Sequence, residues 1–484
     1  MSHLVQLKDL KGLTVIDIKQ FENNDRDRPD FNNKYLKMLY FLRWEGIVNT
    51  IRKYIAHKYR QQRYLTFLVI EFDHKKYVNI STQSQTNTND FVINNKFYLY
   101  LDLDYEDISK RVEYYLSKFN QFGENENYGV FNIDLSPSIS LQLVQQSFEE
   151  KYDDGLFIYG LGGYVKMFII QHFKNIKKLA CIDYKAWITK DFQKKYGFIY
   201  SFNTPESSFP LLKNTRRPIA IIATYHSDHS SLAYKIHEIN PNTVFFIEKP
   251  PTVTLEDLNK LIKLYNKKAI IEIGFNRRFI GYSKYVKEKV KNKIVIITCS
   301  VKEVLISSNH WYFWKNQGTR ITGNAVHWFD LANWWIQSKP IEINIVANPK
   351  DHETSAISVL YQNGSILNIT VSDKGNSLRG VQEKIEVRFD NETIFIDDFL
   401  SLTHIKNNGI KVRNYKLFRE KGHNLMYKNF KKIIQNEKSS DYSVYDLINT
   451  SIVTFYASNM LKNVIRSMSI ENEINKYLAL VKND

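Results

Sequence analysis

The sequence predicts an α/β protein. A doubly wound parallel-sheet domain lies in mid-chain, a mainly β domain with helices follows it, and an α+β region precedes it. Three observations carry this. Between residues 153 and 275, short apolar runs alternate with helical patterns, the signature of stacked βαβ units. After residue 276, strand-like runs follow one another between a few long helical patterns. Before residue 150 the pattern is irregular, with polar stretches between strand-like and helical pieces. The domains are drawn at 1–150, 151–275 and 276–484.

In the middle region the strands fall at Leu156–Tyr159, Leu179–Ile182, Ile219–Ala223, Val244–Ile247 and Ala269–Ile273, with a short one near Phe198–Ser201. The helix Leu255–Tyr265 typifies the connections, because Leu258, Leu261, Ile262 and Tyr265 share one face. In the last region an apolar helix over Ile321–Ile336 precedes strands at Ile341–Ala347, Ala356–Tyr361, Ser365–Ser372, Glu383–Phe389 and Glu392–Ile396. Helices near Asn424–Gln435 and Tyr445–Ser467 close it. The front region reads as a helix over Asn33–Tyr59, strands at Tyr64–Phe72, Tyr77–Ser81 and Phe97–Leu103, and a second helix over Tyr105–Phe122. It carries no chemistry of its own.

Composition narrows the function. The 484 residues are 43% hydrophobic, enough for ordinary cores. The two cysteines, Cys181 and Cys299, sit in apolar strand-like runs, which excludes a disulfide framework and a thiolate metal cluster. No stretch approaches the roughly 20 apolar residues that span a bilayer, and no leader pattern is visible; a cytoplasmic protein is expected. The formal charge of +16 is spread along the chain, so nucleic acid is not expected as a partner. One basic cluster around Arg52, Lys53 and Arg60 leaves membrane-surface contact as a minority reading.

The run Gly160-Leu161-Gly162-Gly163-Tyr164 ends a strand and opens a helix. Glycines there allow a tight turn and let backbone amides approach a pyrophosphate at a helix N-terminus. Asp183 stands 20 residues after Gly163, at the end of the next strand. An acid there accepts from ribose hydroxyls and repels a 2′-phosphate, which points to NAD rather than NADP. Val165 occupies the place of a third small residue and should widen the contact between helix and strand.

Further motifs end the later strands: Ala223-Thr224-Tyr225-His226-Ser227-Asp228-His229, then Glu248-Lys249-Pro250, then Phe275-Asn276-Arg277-Arg278. Downstream stands Arg320-Ile321-Thr322-Gly323-Asn324-Ala325-Val326-His327-Trp328-Phe329-Asp330. In this order they resemble the glucose–fructose oxidoreductase / inositol dehydrogenase / MocA family, over about Asp153–Ser467. The resemblance implies a Rossmann domain, then an open-faced, mostly antiparallel sheet through which members oligomerise. It also implies transfer of hydride between NAD or NADP and a secondary hydroxyl of a sugar, nucleotide sugar or cyclitol. Longer bacterial members with an extra front domain occur with surface-polysaccharide synthesis.

The resemblance makes Lys249 and His327 the catalytic pair. It lays Thr224, Tyr225, His226, His229 and Glu248, with Lys249, along the dinucleotide. Physically, oxidation of a carbinol needs a base for the proton and a cation to steady the developing alkoxide. Arg320, Asn324 and His327 fall at i, i+4 and i+7, one stripe of a helix, and suit a polyol. Arg277 and Trp311 are the remaining substrate candidates, although aromatic residues as dense as Trp311 and Trp314 are as often core. Asp330 either orients His327 or faces solvent. His226 and His229 lack the partners of a metal site, and none is expected. Many members carry Asp four residues before the histidine, where this chain has Gly323. That departure supports an alternative reading, a catalytically weakened NAD-binding sensor or scaffold.

Overall fold

The computed structural model describes residues 150–183, 186–202, 204–304, 306, 317–348, 351–375 and 380–482, together with the backbone of five strands before them. Those five are β1 (Leu4–Gln6), β2 (Thr14–Glu22), β3 (Tyr64–Phe72), β4 (Lys75–Ser81) and β5 (Tyr98–Tyr100). β2, β3 and β4 form an antiparallel sheet, and β1 pairs with β5. The expected run Tyr64–Phe72 coincides with β3, whereas β1 and β2 were not anticipated. The helices expected at Asn33–Tyr59 and Tyr105–Phe122, and Trp311 and Trp314, lie outside the described residues.

The chain divides into two compact units. One holds Met1–Asp27, Ile55–Lys151 and Lys178–Asn214; the other holds Arg28–Tyr54, Tyr152–Lys177 and Thr215–Asp484. The parallel strands are β6 (Tyr152–Tyr159), β7 (Lys178–Ile182), β8 (Tyr200–Phe202), β9 (Thr215–Ile222), β10 (Val244–Ile247) and β11 (Ile270–Ile273). Their six-stranded sheet runs β11-β10-β9-β6-β7-β8. Every residue of β10, and Leu156–Tyr159 of β6, is buried, as expected of strands covered on both faces. Both β6 and β9 start about four residues earlier than expected, because Tyr152 already pairs with Thr215. The polar residues Asp153 and Arg216 hid this extension, and they form an exposed ion pair.

The helix Leu255–Asn266 is held at its start by a reciprocal capping box between Thr254 and Asp257. Leu258, Leu261 and Ile262 form its buried face, as its spacing demands, whereas Tyr265, expected with them, is only half-buried and Leu264 is buried instead.

The second sheet has nine strands. Its members are β12 (Ile296–Lys302), β13 (Pro340–Asn348), β14 (Asp351–Tyr361), β15 (Ile366–Ser372), β16 (Gln382–Phe389), β17 (Glu392–Asp397), β18 (Ser401–Ile405), β19 (Lys411–Tyr415) and β20 (Ser467–Ser469). The order is β19-β18-β17-β16-β12-β15-β14-β13-β20. Only the β12–β15 pair is parallel, so the sheet is mixed and mostly antiparallel. Alternation is strict: Ile297, Cys299 and Val301 point inward on β12, and Ile385, Val387 and Phe389 on β16. The helix Val326–Ile336 is buried almost all round, as its apolar composition requires. Among the described residues, no helix is long and apolar enough to cross a membrane.

Candidate active site

The site is built at the carboxyl edge of β6, β9, β10 and β11, where open α/β sheets take their ligands. Gly160 follows β6 with φ +85°. A Cβ there would run into the carbonyl oxygen of Ala223, at the end of β9, whose amide already donates to Tyr159 O at 2.8 Å. The turn is therefore closed to any other residue. Gly162, by contrast, is exposed with no atom near its Cβ position. The helix starts at Gly163, and its first turn carries neither an acid nor a side-chain cap. Open space, backbone amides and a bare helix start fit a pyrophosphate. Val165 is buried and opens a π-helical turn, Val165–Ile169. This wider turn carries the larger residue. Asp183 follows β7, half-buried, with its amide on Phe202 O at 3.2 Å.

Glu248 and Lys249 follow β10. Lys249 Nζ donates to Gly323 O at 2.9 Å, so the chain carries a carbonyl anchor at the position where an acid was missed. Burial lowers the pKa of Lys249, opposed by Glu248 and Glu303. Glu248 is buried and accepts from the Tyr427 hydroxyl at 2.8 Å. Burial pushes its carboxyl up to about 7, while Tyr427 and Lys249 pull it down. Gly274 lies so close that a Cβ would stand 2.8 Å from Glu248 Oε2. The Tyr427 hydroxyl is also 3.4 Å from that of Tyr164, so the helix His423–Ile434 ties the lysine strand to the glycine turn.

His327 lies in the first turn of Val326–Ile336, next to the segment that holds Lys249. Only 9% of it is exposed, and its Nδ1 is buried with no partner. The ring packs edge-on against Phe275 and Trp328. Burial drives its pKa well below the ordinary value, and the nearby charges of Arg277, Lys249, His423 and Lys421 add to this. The imidazole is thus held in its neutral form.

The other candidates are spent on the protein itself in different degrees. Arg277 makes a two-pronged pair with Glu383, Nε to Oε2 at 2.7 Å and Nη2 to Oε1 at 3.1 Å, and lies over Trp328. Arg278 pairs with Asp330 at 2.7 and 2.6 Å and with Asp446. Asp330 therefore neither orients His327 nor faces solvent: it is fully buried as the counter-ion of Arg278. Arg320 and Asn324 converge on the buried Glu303, at 3.5 and 2.7 Å from Oε2. The turn Ile321–Ala325 between them is π-helical, which explains why a stripe drawn at α-helical spacing aims at that acid. His229 has Pro250 O at 2.8 Å from Nδ1 and Thr224 O at 3.3 Å from Nε2; burial lowers its pKa to about 4. His226 Nδ1 is 3.3 Å from Gln317 O. Thr224 and Tyr225 are half-buried in the loop that these contacts brace. Among the described residues, no group of three or more His, Cys, Asp or Glu is placed to hold a metal.

Four residues of the site escaped the sequence reading. Glu303 and Glu383 each continue the inward phase of a strand, after Val301 and before Ile385. A carboxylate in an apolar phase was the available signal. Tyr427 lies on the buried face of its helix with Met426, Phe430 and Ile433, where an aromatic gives no signal. Lys421 gives none either.

A parallel sheet with a glycine turn at its carboxyl edge, followed by a nine-stranded mixed sheet, is an arrangement shared with dehydrogenases of known structure. More particularly, from Tyr152 onward it is the fold of the glucose–fructose oxidoreductase / inositol dehydrogenase / MocA dehydrogenases. An oxidoreductase from Agrobacterium radiobacter, solved in complex with NAD+, L-tartaric acid and magnesium, matches 66% of this chain and 99% of its own, with a TM-score of 0.55 and 16% identity. No family model matches the sequence. Among curated proteins, the chain is similar to one from Bacillus subtilis that carries the name oxidoreductase YteT, 26% identical over 148 residues, 28% of this chain and 34% of that one. It is also similar to the inositol 2-dehydrogenase/D-chiro-inositol 3-dehydrogenase of Lacticaseibacillus casei, 22% identical over 187 residues, 37% of this chain and 53% of that one. The matches span about half the length of these relatives or less.

Proposed function

We propose that the protein is an oxidoreductase that moves hydride between a nicotinamide dinucleotide, NAD in preference to NADP, and a secondary hydroxyl of a sugar, nucleotide sugar or cyclitol. One observation carries this reading. Lys249 is bonded to the turn that leads into His327, and His327 Nδ1 is buried with no hydrogen-bond partner among the described residues. A fixed cation and a neutral, unoccupied base at one strand edge are what a carbinol requires. The names of the relatives, an oxidoreductase and an inositol dehydrogenase, agree with it.

The backbone of Gly160–Tyr164 would hold the pyrophosphate, and Asp183 the adenosine ribose. When bound, the nicotinamide supplies the hydride acceptor or donor. His327 takes the hydroxyl proton, and the Lys249 ammonium steadies the oxygen as it becomes negative. Glu248, fixed by Tyr427, lies beside that ammonium. Arg277 and Asn324 line the substrate side of the same pocket. We assign 151–275 to the cofactor and 276–484 to the substrate and to self-association through the exposed face of the nine-stranded sheet. Surface-glycan synthesis is the proposed setting.

The test is direct. Lys249→Ala and His327→Ala should each keep NADH binding, read by fluorescence, while turnover on an accepted sugar, UDP-sugar or inositol falls by ~10²–10⁴. Wild-type turnover in the His327 variant would overturn the assignment of the base. Tight NADH binding with no turnover on any such compound would favour the sensor reading, for which Gly323 is the sequence support.

A further inference from the structure

An ammonium that steadies a developing alkoxide needs two things from the protein, a fixed place and a retained proton. The Gly323 carbonyl supplies the first, accepting from Lys249 Nζ at 2.9 Å. It brings no charge, and residue 323 has no side chain that could. The charges that act on Lys249 come from Glu248, Glu303 and Arg277. Lys249 in turn acts on the rings of His229, His327 and His423. Burial and Arg277 work against its proton, and the two acids work for it.

The two acids are not equivalent. Glu248 accepts from a neutral hydroxyl, that of Tyr427, and burial pushes its carboxyl up to about 7. It carries its full charge only above neutrality. Glu303 follows β12 directly and is met by a cation, with Arg320 Nη1 at 3.5 Å from Oε2 and both side chains buried. A guanidinium keeps its proton even there, and an ion buried in this way needs an ionised partner. Burial raises the Glu303 carboxyl, while Arg320, Arg277, Lys249 and Lys421 draw it back. Geometry brings this acid to the lysine. Asn324, the residue after the Gly323 carbonyl, donates through Nδ2 to Glu303 Oε2 at 2.7 Å. Lys249 is thus bonded to the oxygen of one peptide unit, and Glu303 to the side chain that follows it. Both bonds meet in the same π-helical turn, Ile321–Ala325.

We infer that Glu303 is a positioning residue for the reaction: held by Asn324 and Arg320 beside the turn that anchors Lys249, it supplies the negative charge that keeps Lys249 an ammonium. This rests on the reading of Lys249 as the group that steadies the alkoxide. It deepens that reading by dividing the task. The carbonyl sets where the cation stands, and Glu303 sets the pH range over which it is one.

The experiment is competitive acetylation of the whole chain across the alkaline range, with mass spectrometry of the peptide that carries Lys249. It reads the titration of that amine without substrate or cofactor. Glu303→Gln keeps an oxygen for Asn324 and loses the charge. It should lower the Lys249 midpoint by about one pH unit, the smaller end of what a nearby opposite charge is worth. Glu303→Asp keeps the charge and should restore most of the difference. A midpoint that Glu303→Gln leaves in place overturns the inference. So does a fall that Glu303→Asp shares in full, since side-chain length and not charge would then be at work. Glu303→Gln leaves Arg320 buried without its acid, so Asn324→Ala is measured beside it. That variant cuts the bond that brings the carboxylate to the turn and keeps the buried pair whole. It should lower the midpoint by a smaller amount, and an unchanged midpoint overturns the inference whether or not Glu303→Gln folds. Turnover separates this from the reading it rests on. An ammonium is lost as pH rises through its midpoint, so on an accepted sugar or inositol the alkaline limb of kcat should move to lower pH in Glu303→Gln by the same interval. A limb that stays in place while the midpoint moves overturns the assignment of Glu303 to the reaction. A midpoint that moves as expected, with no turnover on any such compound, upholds the charge assignment and counts against the oxidoreductase reading.

Discussion

Tyr427→Phe removes one oxygen atom from the junction between the lysine strand and the glycine turn. In the wild type that hydroxyl donates to Glu248 at 2.8 Å, with both residues buried. Burial raises the Glu248 carboxyl from 4.5 to about 7, and the bond from Tyr427 holds it from going higher. The sign follows from this. A carboxyl whose pKa is raised on folding contributes stability that is fully present below about pH 4.5 and is lost as pH rises through about 7. Removing the donor pushes the folded value further up and extends the loss to higher pH. At about pH 8, the missing bond is one to a charged group and costs about 1.5–3 kcal/mol. At about pH 5 the carboxyl is protonated, and the cost falls to about 0.5–1.5 kcal/mol. Urea unfolding of both proteins, followed by tryptophan fluorescence at the two pH values, reads the difference. An equal loss at both, or a larger one at the lower pH, would refute the reasoning, because the bond would then not discriminate between charged and neutral Glu248.

Gly160→Ala should abolish NADH binding, since its Cβ would enter the Ala223 carbonyl in a backbone region that alanine avoids; unchanged affinity in fluorescence titration would count against the turn. Glu272→Gln should stabilise the protein at about pH 8 but not at about pH 4. Glu272 is buried against Ser440 and raised by burial from 4.5 to about 7, so its ionisation costs up to about 3 kcal/mol at ~1.36 per unit. Chemical denaturation across that range checks it. Asp183→Ser should narrow the preference for NADH over NADPH by removing an acceptor and a repulsion together; a preference that does not move would dissociate Asp183 from the ribose.

The parallel sheet was legible because its strands are short, apolar on both faces and separated by helical patterns. Val244–Ile247 shows this, with expected and observed bounds the same. β12 was harder. Its run Ile296–Lys302 alternates correctly, but Thr298, Ser300 and Lys302 interrupt the apolar count. β19 could not be found by burial at all, since every residue in it is exposed. In the site, Lys249 and His327 were visible from motifs at strand and helix ends. The acids that complete it were not. Glu303 and Glu383 are distant in sequence from the cations they meet, and only the sheet register brings them inward. Asp330 was misjudged for the same reason: its partner Arg278 lies 52 residues away.

The bond from Lys249 to the Gly323 carbonyl has a consequence for robustness. A carboxylate anchor would let go of its lysine on protonation, and any change to its side chain would remove it. A peptide oxygen has no proton to gain in the working range, and no substitution at its own position deletes it. The orientation of this ammonium is therefore insulated from acidity and from mutation alike, and it depends only on the path of the main chain through residue 323.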